Sequence, residues 1–182
     1  MWFDLAFLSV LAAVSEWMGN AFLPVWGSGF YFSFSIAIGL IAMVRWGAVG
    51  TAVGVIGGIP GMLFSKMTFG GGILFYVIAN VFLGLPILLY GKRNRDRIAG
   101  NGACLVLYVL LSHISLSVGK GIAIFLLTGE TTGAVDYFGA TFLILAIDMI
   151  VCLVLKTRKG LICDMRYYFT QREGEVNERH GY

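Results

Sequence analysis

Charged residues are scarce in this sequence: Asp, Glu, Lys and Arg together make up only 13% of its 182 residues. Soluble globular chains carry about 25% charged residues, so the composition excludes an ordinary soluble domain. Only three cysteines are present, and an odd number argues against a disulfide framework. Hydrophobic residues instead reach 58%, and 25 residues are glycine. This combination is typical of an integral membrane protein whose helices pack closely.

Histidine is also rare, and its scarcity restricts the chemistry. His113 and His180 are the two histidines, too few for a multi-histidine metal centre. The chain has neither a His-Glu-x-x-His run nor a Gly-x-x-x-x-Gly-Lys-Ser/Thr loop for ATP. We therefore predict that the protein is not an enzyme and holds no metal or cofactor, and that any use of ATP comes from partner proteins. A membrane composition also gives no basis for a nucleic-acid partner.

Long apolar stretches predict the fold class. A helix needs about 20 apolar residues to cross a hydrocarbon core of about 30 Å. Divided at charges, glycine clusters and prolines, the chain contains six such stretches: 5–22, about 27–44, 46–64, 73–90, 99–118 with a further apolar run to 128, and 137–155. We predict an all-α membrane protein with six transmembrane helices in a compact bundle over residues 1–156, followed by a cytoplasmic C-terminal tail over residues 157–182.

The basic residues predict how the bundle is oriented. Of the 13 Lys and Arg residues, all but Lys66 and Lys120 fall between spans two and three, between spans four and five, or after span six. Cytoplasmic loops carry the excess of Lys and Arg in multi-pass proteins. We therefore expect both termini in the cytoplasm and the protein in the plasma membrane of a bacterium.

Small residues recur on two predicted spans. Gly50, Gly54 and Gly58 follow one another at four-residue steps in span three, and Ser9 and Ala13 do so in span one. Such rows let helix backbones approach closely in lipid. They predict either internal packing or a docking surface for another membrane subunit.

Four ionisable residues fall inside predicted spans, where charge is costly and usually functional. His113 and Lys120 share one face of span five near its outer end, and Glu16 lies in the outer half of span one. Lys120 is a candidate to meet an anionic group on a substrate, and an ion pair with Glu16 is the alternative. Asp148 lies deeper, and we expect either a structural pair with Arg45 or a proton-coupled carboxylate.

Residues near the outer loops complete the candidate site. Trp26 and Tyr31 are aromatic residues that either belong to the interfacial belt of the membrane or stack on a flat ligand. Lys66 lies in the loop after span three, and Asn80 places an amide about 10 Å inside span four. We expect these groups to border a pocket that opens outward.

Two stretches carry a resemblance to a known family. LIAMVRWGAVG at 40–50, continued by Gly54, Gly57 and Gly58, and IANVFLGLP at 78–86 resemble the S components of energy-coupling factor (ECF) transporters. These small membrane proteins capture vitamins and related micronutrients. Size and predicted orientation match as well.

The resemblance implies a fold, a site and partners. It implies a six-helix bundle that the substrate enters from outside. The bundle docks on a separate transmembrane coupling subunit, which is driven by two cytoplasmic ATPases. The family often docks through an Ala-x-x-x-Ala surface on its first helix, for which Ser9 and Ala13 are the nearest match. Transferred by position, its pocket uses the following residues: Trp26, Tyr31, Lys66, Asn80, His113 and Lys120.

Two other functions remain open at the level of sequence. The chain also resembles, in size and helix pattern, cell-shape scaffold proteins of the MreD type, which need no ligand. A self-sufficient proton-coupled carrier that uses Asp148 is the second alternative. Ligand-dependent stabilisation separates the scaffold from the substrate-binding subunit, and uptake without ATPases separates the carrier.

Overall fold

The computed structural model describes residues 1–22, 24–25, 30–158, 161–163 and 165, and these residues are almost entirely helical. In chain order the elements are α1 (Trp2–Phe22), β1 (Pro24–Val25), β2 (Phe30–Tyr31), α2 (Ser35–Trp46), a 3-10 turn (Gly47–Gly50), α3 (Thr51–Phe64), α4 (Phe69–Gly72), a π-helix (Ile73–Ile78), a 3-10 helix (Ala79–Gly84), α5 (Leu85–Gly100), α6 (Gly102–Thr128), α7 (Gly133–Ala140) and α8 (Phe142–Lys156). The predicted helical class is confirmed. β1 and β2 form a two-residue antiparallel ladder that the sequence analysis did not predict.

Several helical segments have the length and apolarity of membrane spans. Within the described residues four segments qualify alone: Trp2–Ala21, Ser35–Phe64, Phe69–Gly91 and Gly102–Thr128. α7 and α8 qualify together, with a bend of 54° between them, and make a fifth candidate if they form one broken span. These segments agree with the multi-pass membrane protein that composition predicts. The predicted second and third spans share one 30-residue segment.

That 30-residue segment doubles back at Gly47, where φ is 70° and ψ is −147°. Glycine adopts a positive φ without the steric cost of a side chain. After the turn, α3 returns along α2: a methyl group placed on Gly39 would lie 3.4 Å from the Gly54 Cα. Further along, a methyl group on Gly57 would lie 3.6 Å from the Ser35 Cβ. α2 and α3 are therefore an antiparallel pair.

The glycine row of α3 is used inside the bundle. Gly50, Gly54 and Gly58 are all buried. A Cβ atom on Gly50 would overlap the backbone of Ala42, and one on Gly58 would overlap the carbonyl oxygen of Tyr76. These contacts lie within the chain, so the three glycines offer no free face to another subunit. Internal packing is therefore the one of the two predicted roles that these contacts support.

The small pair on α1 is also partly covered. Ser9 is buried and Ala13 is half-buried, because this side of α1 packs against α3. A methyl group on Gly57 would lie 3.2 Å from the Ala12 Cβ. Other faces of α1 expose large apolar side chains such as Phe7 and Val10, which suit contact with lipid tails.

A network of polar contacts joins three parts of the chain where α1 begins and α8 ends. The Arg45 Nε lies 2.9 Å from the Asp4 Oδ2, and the Arg45 Nη1 donates to the Leu161 carbonyl oxygen at 3.0 Å. Ile162 is buried, and Met165 packs beside the apolar cluster of α1, α2 and α3. The described start of the predicted tail therefore packs on the bundle, and most of the remaining tail lies outside the described residues.

Further basic residues gather at this same end, which we call the basic end. A Cβ atom on Gly47 would lie 3.1 Å from the Arg95 Nη1, and one on Gly102 would lie 3.6 Å from the Lys156 Nζ. The start of α6 therefore lies near three other parts of the chain: the turn after α2, the segment after the Gly91 break in α5, and the end of α8. This grouping matches the clustering of basic residues that orients the predicted topology.

We predict that Gly58→Ala destabilises the bundle by about 1–3 kcal/mol, the usual effect of overpacking, because its Cβ would overlap the Tyr76 carbonyl oxygen. Thermal unfolding of the purified protein in detergent measures the effect. Gly139→Ala is the matched control, since a Cβ atom there meets nothing within 4 Å. Equal melting temperatures for the two variants would contradict this packing.

Candidate functional site

A cavity of about 90 Å³ lies between α1, the start of α2, the π-helix, α6 and the α7–α8 junction. Ser33 and Ser35 border it at the start of α2, whereas Arg45 lies near the end of that helix, about 15 Å away at 1.5 Å per residue. The cavity therefore lies toward the end of the bundle opposite the basic end. Its lining residues are Glu16, Ser33, Ser35, Ile36, Phe75, Tyr76, Asn80, Leu116, Lys120, Tyr137, Thr141 and Ile144.

Lys120 supplies the positive charge of the cavity. Lys120 is only 3% exposed, and its Nζ donates to the Phe75 carbonyl oxygen at 2.6 Å. The same Nζ lies 4.3 Å from the centre of the Phe75 ring, 5.1 Å from that of Tyr76 and 5.8 Å from that of Tyr137. Cations within about 6 Å of an aromatic face are stabilised by the ring quadrupole. Three rings and one carbonyl thus hold the ammonium group.

The irregular helix opposite α6 explains why a carbonyl is available to Lys120. Phe75 lies in the π-helix, which is followed directly by a 3-10 helix. Such changes of hydrogen-bond register occur at functional sites, and neighbouring helices satisfy the backbone groups that they release. A backbone carbonyl of the 3-10 helix is satisfied in the same way, since the Ser115 Oγ donates to the Phe82 carbonyl oxygen at 2.7 Å.

The two glycines beside Lys120 do not interrupt its helix. The sequence analysis expected the outer end of span five near Lys120, but α6 continues without a break to Thr128. Instead, Gly119 and Gly121 permit close packing. A Cβ atom on Gly119 would lie 2.8 Å from the Ala79 carbonyl oxygen, and one on Gly121 would lie 2.5 Å from the Ala134 Cβ.

Glu16 supplies the negative charge of the same cavity. It is buried, and its carboxylate acts electrostatically on Lys120. Lys120 makes no direct ion pair with Glu16, since its Nζ has only the Phe75 carbonyl and the three rings as partners among the described residues. The two charged groups therefore border the cavity without forming an ion pair across it.

Asn80 presents one half of its amide to the protein. The Asn80 Nδ2 donates to the Gly54 carbonyl oxygen at 2.9 Å. A carbonyl oxygen accepts hydrogen bonds, so this contact fixes which way the amide points. The Asn80 Oδ1 is left as an acceptor on a residue that lines the cavity.

The start of α2 contributes hydroxyl groups that the sequence analysis missed. The Ser33 Oγ accepts from the Ser35 backbone N–H at 3.0 Å, and the Ser15 Oγ accepts from the Phe34 N–H at 2.8 Å. Side-chain oxygens thus satisfy two of the N–H groups that a helix start leaves without partners. No periodic pattern of residues predicts this site, because its residues converge from helices far apart in the chain.

His113 and Asp148 form a buried pair next to the cavity. The His113 Nε2 lies 3.0 Å from the Asp148 Oδ2, and the two residues are 1% and 0% exposed. The first of the two expectations for Asp148, a structural pair with Arg45, is wrong, because Arg45 binds Asp4 at the basic end. The Asp148 Oδ1 is buried and has no hydrogen-bond partner among the described residues. His113 is one helical turn from Leu116, and Asp148 is one turn from Ile144, and both of these neighbours line the cavity.

The predicted site residues have different outcomes. Asn80 and Lys120 both line the cavity, whereas His113 lies beneath it on α6. Lys66 is exposed and does not line the cavity. Trp26 lies outside the described residues, and Tyr31 is described only through its backbone pairing in β2.

Three aromatic residues line the cavity but are not among the predicted site residues. Phe75, Tyr76 and Tyr137 surround the Lys120 ammonium group. Their positions within apolar spans resemble those of any lipid-facing or core aromatic residue, so only the fold distinguishes them. In the described ranges no cluster of three or more His, Cys, Asp or Glu side chains could hold a metal ion.

We predict that His113 and Asp148 stabilise the bundle as a coupled unit. His113→Ala and Asp148→Ala each leave a buried polar partner unpaired, which is strongly destabilising. The double variant removes both groups, so its loss falls short of the sum of the single losses by about 0.5–3 kcal/mol. Chemical unfolding of all four proteins in detergent measures this coupling. Strictly additive losses would show that the two residues act independently.

No protein-family model matches the chain, and no match to it was found among the curated proteins or the solved structures. The functional interpretation of the cavity therefore rests on the geometry of the chain itself.

Proposed function

We propose that this chain is the substrate-binding membrane subunit of an ECF-type transporter for a vitamin or related micronutrient. The observation that carries the proposal is the cavity around Lys120, which combines a buried ammonium group with aromatic and hydroxyl groups. Ligand sites are concave and largely apolar, with a few placed polar groups that orient the ligand. A scaffold protein needs no such cavity.

In this proposal the chain performs binding and no chemistry. The rings of Phe75, Tyr76 and Tyr137 form one wall for the ligand, and Lys120 and Asn80 supply one donor group and one acceptor. These groups are supported by contacts within the bundle, so the site is largely preformed. ATP hydrolysis by the separate ATPase subunits reorients the chain and releases the ligand.

The proposed topology has six membrane crossings. α1, α2, α3, the segment Phe69–Gly91, α6 and the α7–α8 pair would each cross once, and the antiparallel arrangement of α2 and α3 supports counting the 30-residue segment twice. The positive-inside rule then places the basic end in the cytoplasm. The cavity would open toward the outside, where the substrate is captured.

The proposed partners are a transmembrane coupling subunit and two cytoplasmic ATPase subunits. The glycines of α3 are buried within the chain, so docking falls to another surface. α1 is the proposed surface, because its half-buried Ala13 lies beside exposed apolar side chains that another membrane helix can cover. Small residues permit the close approach that helix association in lipid requires.

One observation favours a second candidate function. A buried His–Asp pair one helical turn from residues that line the cavity is the arrangement expected in a carrier that binds a proton together with its substrate. Such a carrier would work without ATPases, and this difference separates the two functions.

We predict that Lys66 and Arg97 lie on opposite sides of the membrane. Both residues are exposed at different ends of the bundle. Lys66→Cys and Arg97→Cys are compared in a background whose three native cysteines are replaced by alanine. A membrane-impermeant maleimide is expected to label position 66 in intact cells and position 97 only after permeabilisation. The reverse labelling would turn the cavity toward the cytoplasm and contradict the proposal.

We further predict that the chain co-purifies stoichiometrically with an ECF coupling subunit and its two ATPases when all four are co-expressed. Mass spectrometry of the denatured complex identifies the retained small molecule, whose uptake is then followed in proteoliposomes. Uptake is expected to require ATP and active ATPases. Uptake by the chain alone would establish the carrier instead, and failure of the subunits to associate would refute the ECF assignment.

A further inference from the structure

The donors that face the cavity determine the charge of its ligand. An ammonium group has three N–H donors, and Lys120 uses one of them on the Phe75 carbonyl oxygen. Its other partners in the described structure are aromatic rings, which accept no conventional hydrogen bond. Two donors of a buried cation are thus left for a ligand.

The start of α2 adds donors to the same cavity. Ser35 and Ile36 line it, and no acceptor among the described residues binds the N–H groups of Ile36 and Ala37. The first N–H groups of a helix point outward from its positive end and bind anions. α2 is a 12-residue helix, long enough for this effect.

The hydroxyl group of Ser35 independently indicates a ligand at this point. Ser35 is 7% exposed and lines the cavity. Its Oγ has no hydrogen-bond partner among the residues that the structure describes, even though its own backbone N–H is bound to Ser33. Because Ser35 lines the cavity, a ligand oxygen there can bind this hydroxyl group.

Glu16 and the size of the cavity further restrict the class of ligand that can bind. The Glu16 carboxylate borders the cavity and repels negative charge, so a ligand with two negative charges is disfavoured relative to one whose single charge binds Lys120 and the start of α2. A volume of about 90 Å³ is well below the roughly 300–1,000 Å³ of sites for drug-sized ligands. The ring wall favours a compact apolar body.

We propose that the cavity binds a small organic monocarboxylate, with the carboxylate between the Lys120 Nζ, the Ser35 Oγ and the start of α2, and the body of the molecule against the rings of Phe75, Tyr76 and Tyr137. This inference rests on the proposed function, because it names the class of substrate that the same site captures.

The experiment compares an acid with a neutral molecule of the same shape. Binding of benzoate and benzamide to the full chain in nanodiscs is measured by calorimetry at constant ionic strength. Benzoate is expected to bind with saturation and at least about tenfold more tightly than benzamide. Lys120→Met is expected to reduce this ratio to about one, whereas Lys66→Met, which changes an exposed lysine outside the cavity, keeps it.

Ser35→Ala is the second variant and covers the case in which Lys120→Met fails to fold. It is expected to weaken benzoate binding several-fold while the binding of benzamide changes less. Equal binding of benzoate and benzamide to the unaltered protein, no saturable binding of benzoate, or an undiminished ratio in a folded Lys120→Met protein would each overturn the monocarboxylate assignment.

The two proposals fail separately. An intact complex with the coupling subunit and ATPases but no preference for the acid would overturn the ligand class alone. A tenfold preference for benzoate in a chain that does not associate with those subunits would uphold the ligand class and remove the ECF function.

Discussion

The ammonium group of Lys120 is held away from bulk water, and the surrounding helices are arranged to compensate for that loss of hydration. A buried charge is tolerated only where dipoles, partners or ligands replace water. Here three rings and the Phe75 carbonyl provide part of the replacement, and the open cavity provides the rest. The proposed ligand site is therefore a direct result of placing a lysine inside an apolar bundle.

The glycines let neighbouring helices pack against the backbone groups that the irregular helix exposes. The stretch Ile73–Gly84 changes from π to 3-10 hydrogen bonding, so several of its carbonyl oxygens face neighbouring helices. Gly58 brings α3 against the Tyr76 carbonyl oxygen on one side, and Gly119 brings α6 against the Ala79 carbonyl oxygen on the other. Close approach on both sides keeps lipid away from a backbone that an ordinary helix would satisfy by itself.

Much of the fold was predictable from the sequence, because apolar length and the distribution of basic residues depend on local composition. The sequence predicts a boundary between the second and third spans at Arg45, and the structure places the turn two residues later, at Gly47. The irregular hydrogen bonding near Phe75 was not predicted, since its residues are as apolar as those of a regular helix. The predicted span five likewise ends at residue 118, whereas α6 continues through the closely packed Gly119 and Gly121.

The site was predictable only where a residue is unusual for its surroundings. Lys120 and Asn80 stand out as polar groups in apolar spans, and both line the cavity. The partner of Asp148 was not predictable, because the pairing depends on which faces of α6 and α8 meet. Ser35 carries no signal in the sequence, since a serine at a helix start is common and its unmet hydroxyl group becomes evident only in three dimensions.

The Arg45 side chain has a mechanical consequence for the whole molecule. One guanidinium group joins the first turn of α1, the end of α2 and the chain beyond α8. None of these segments can tilt alone without breaking a charged contact, so this end resists shearing between helices. Any reorientation in the membrane would therefore move these three segments together.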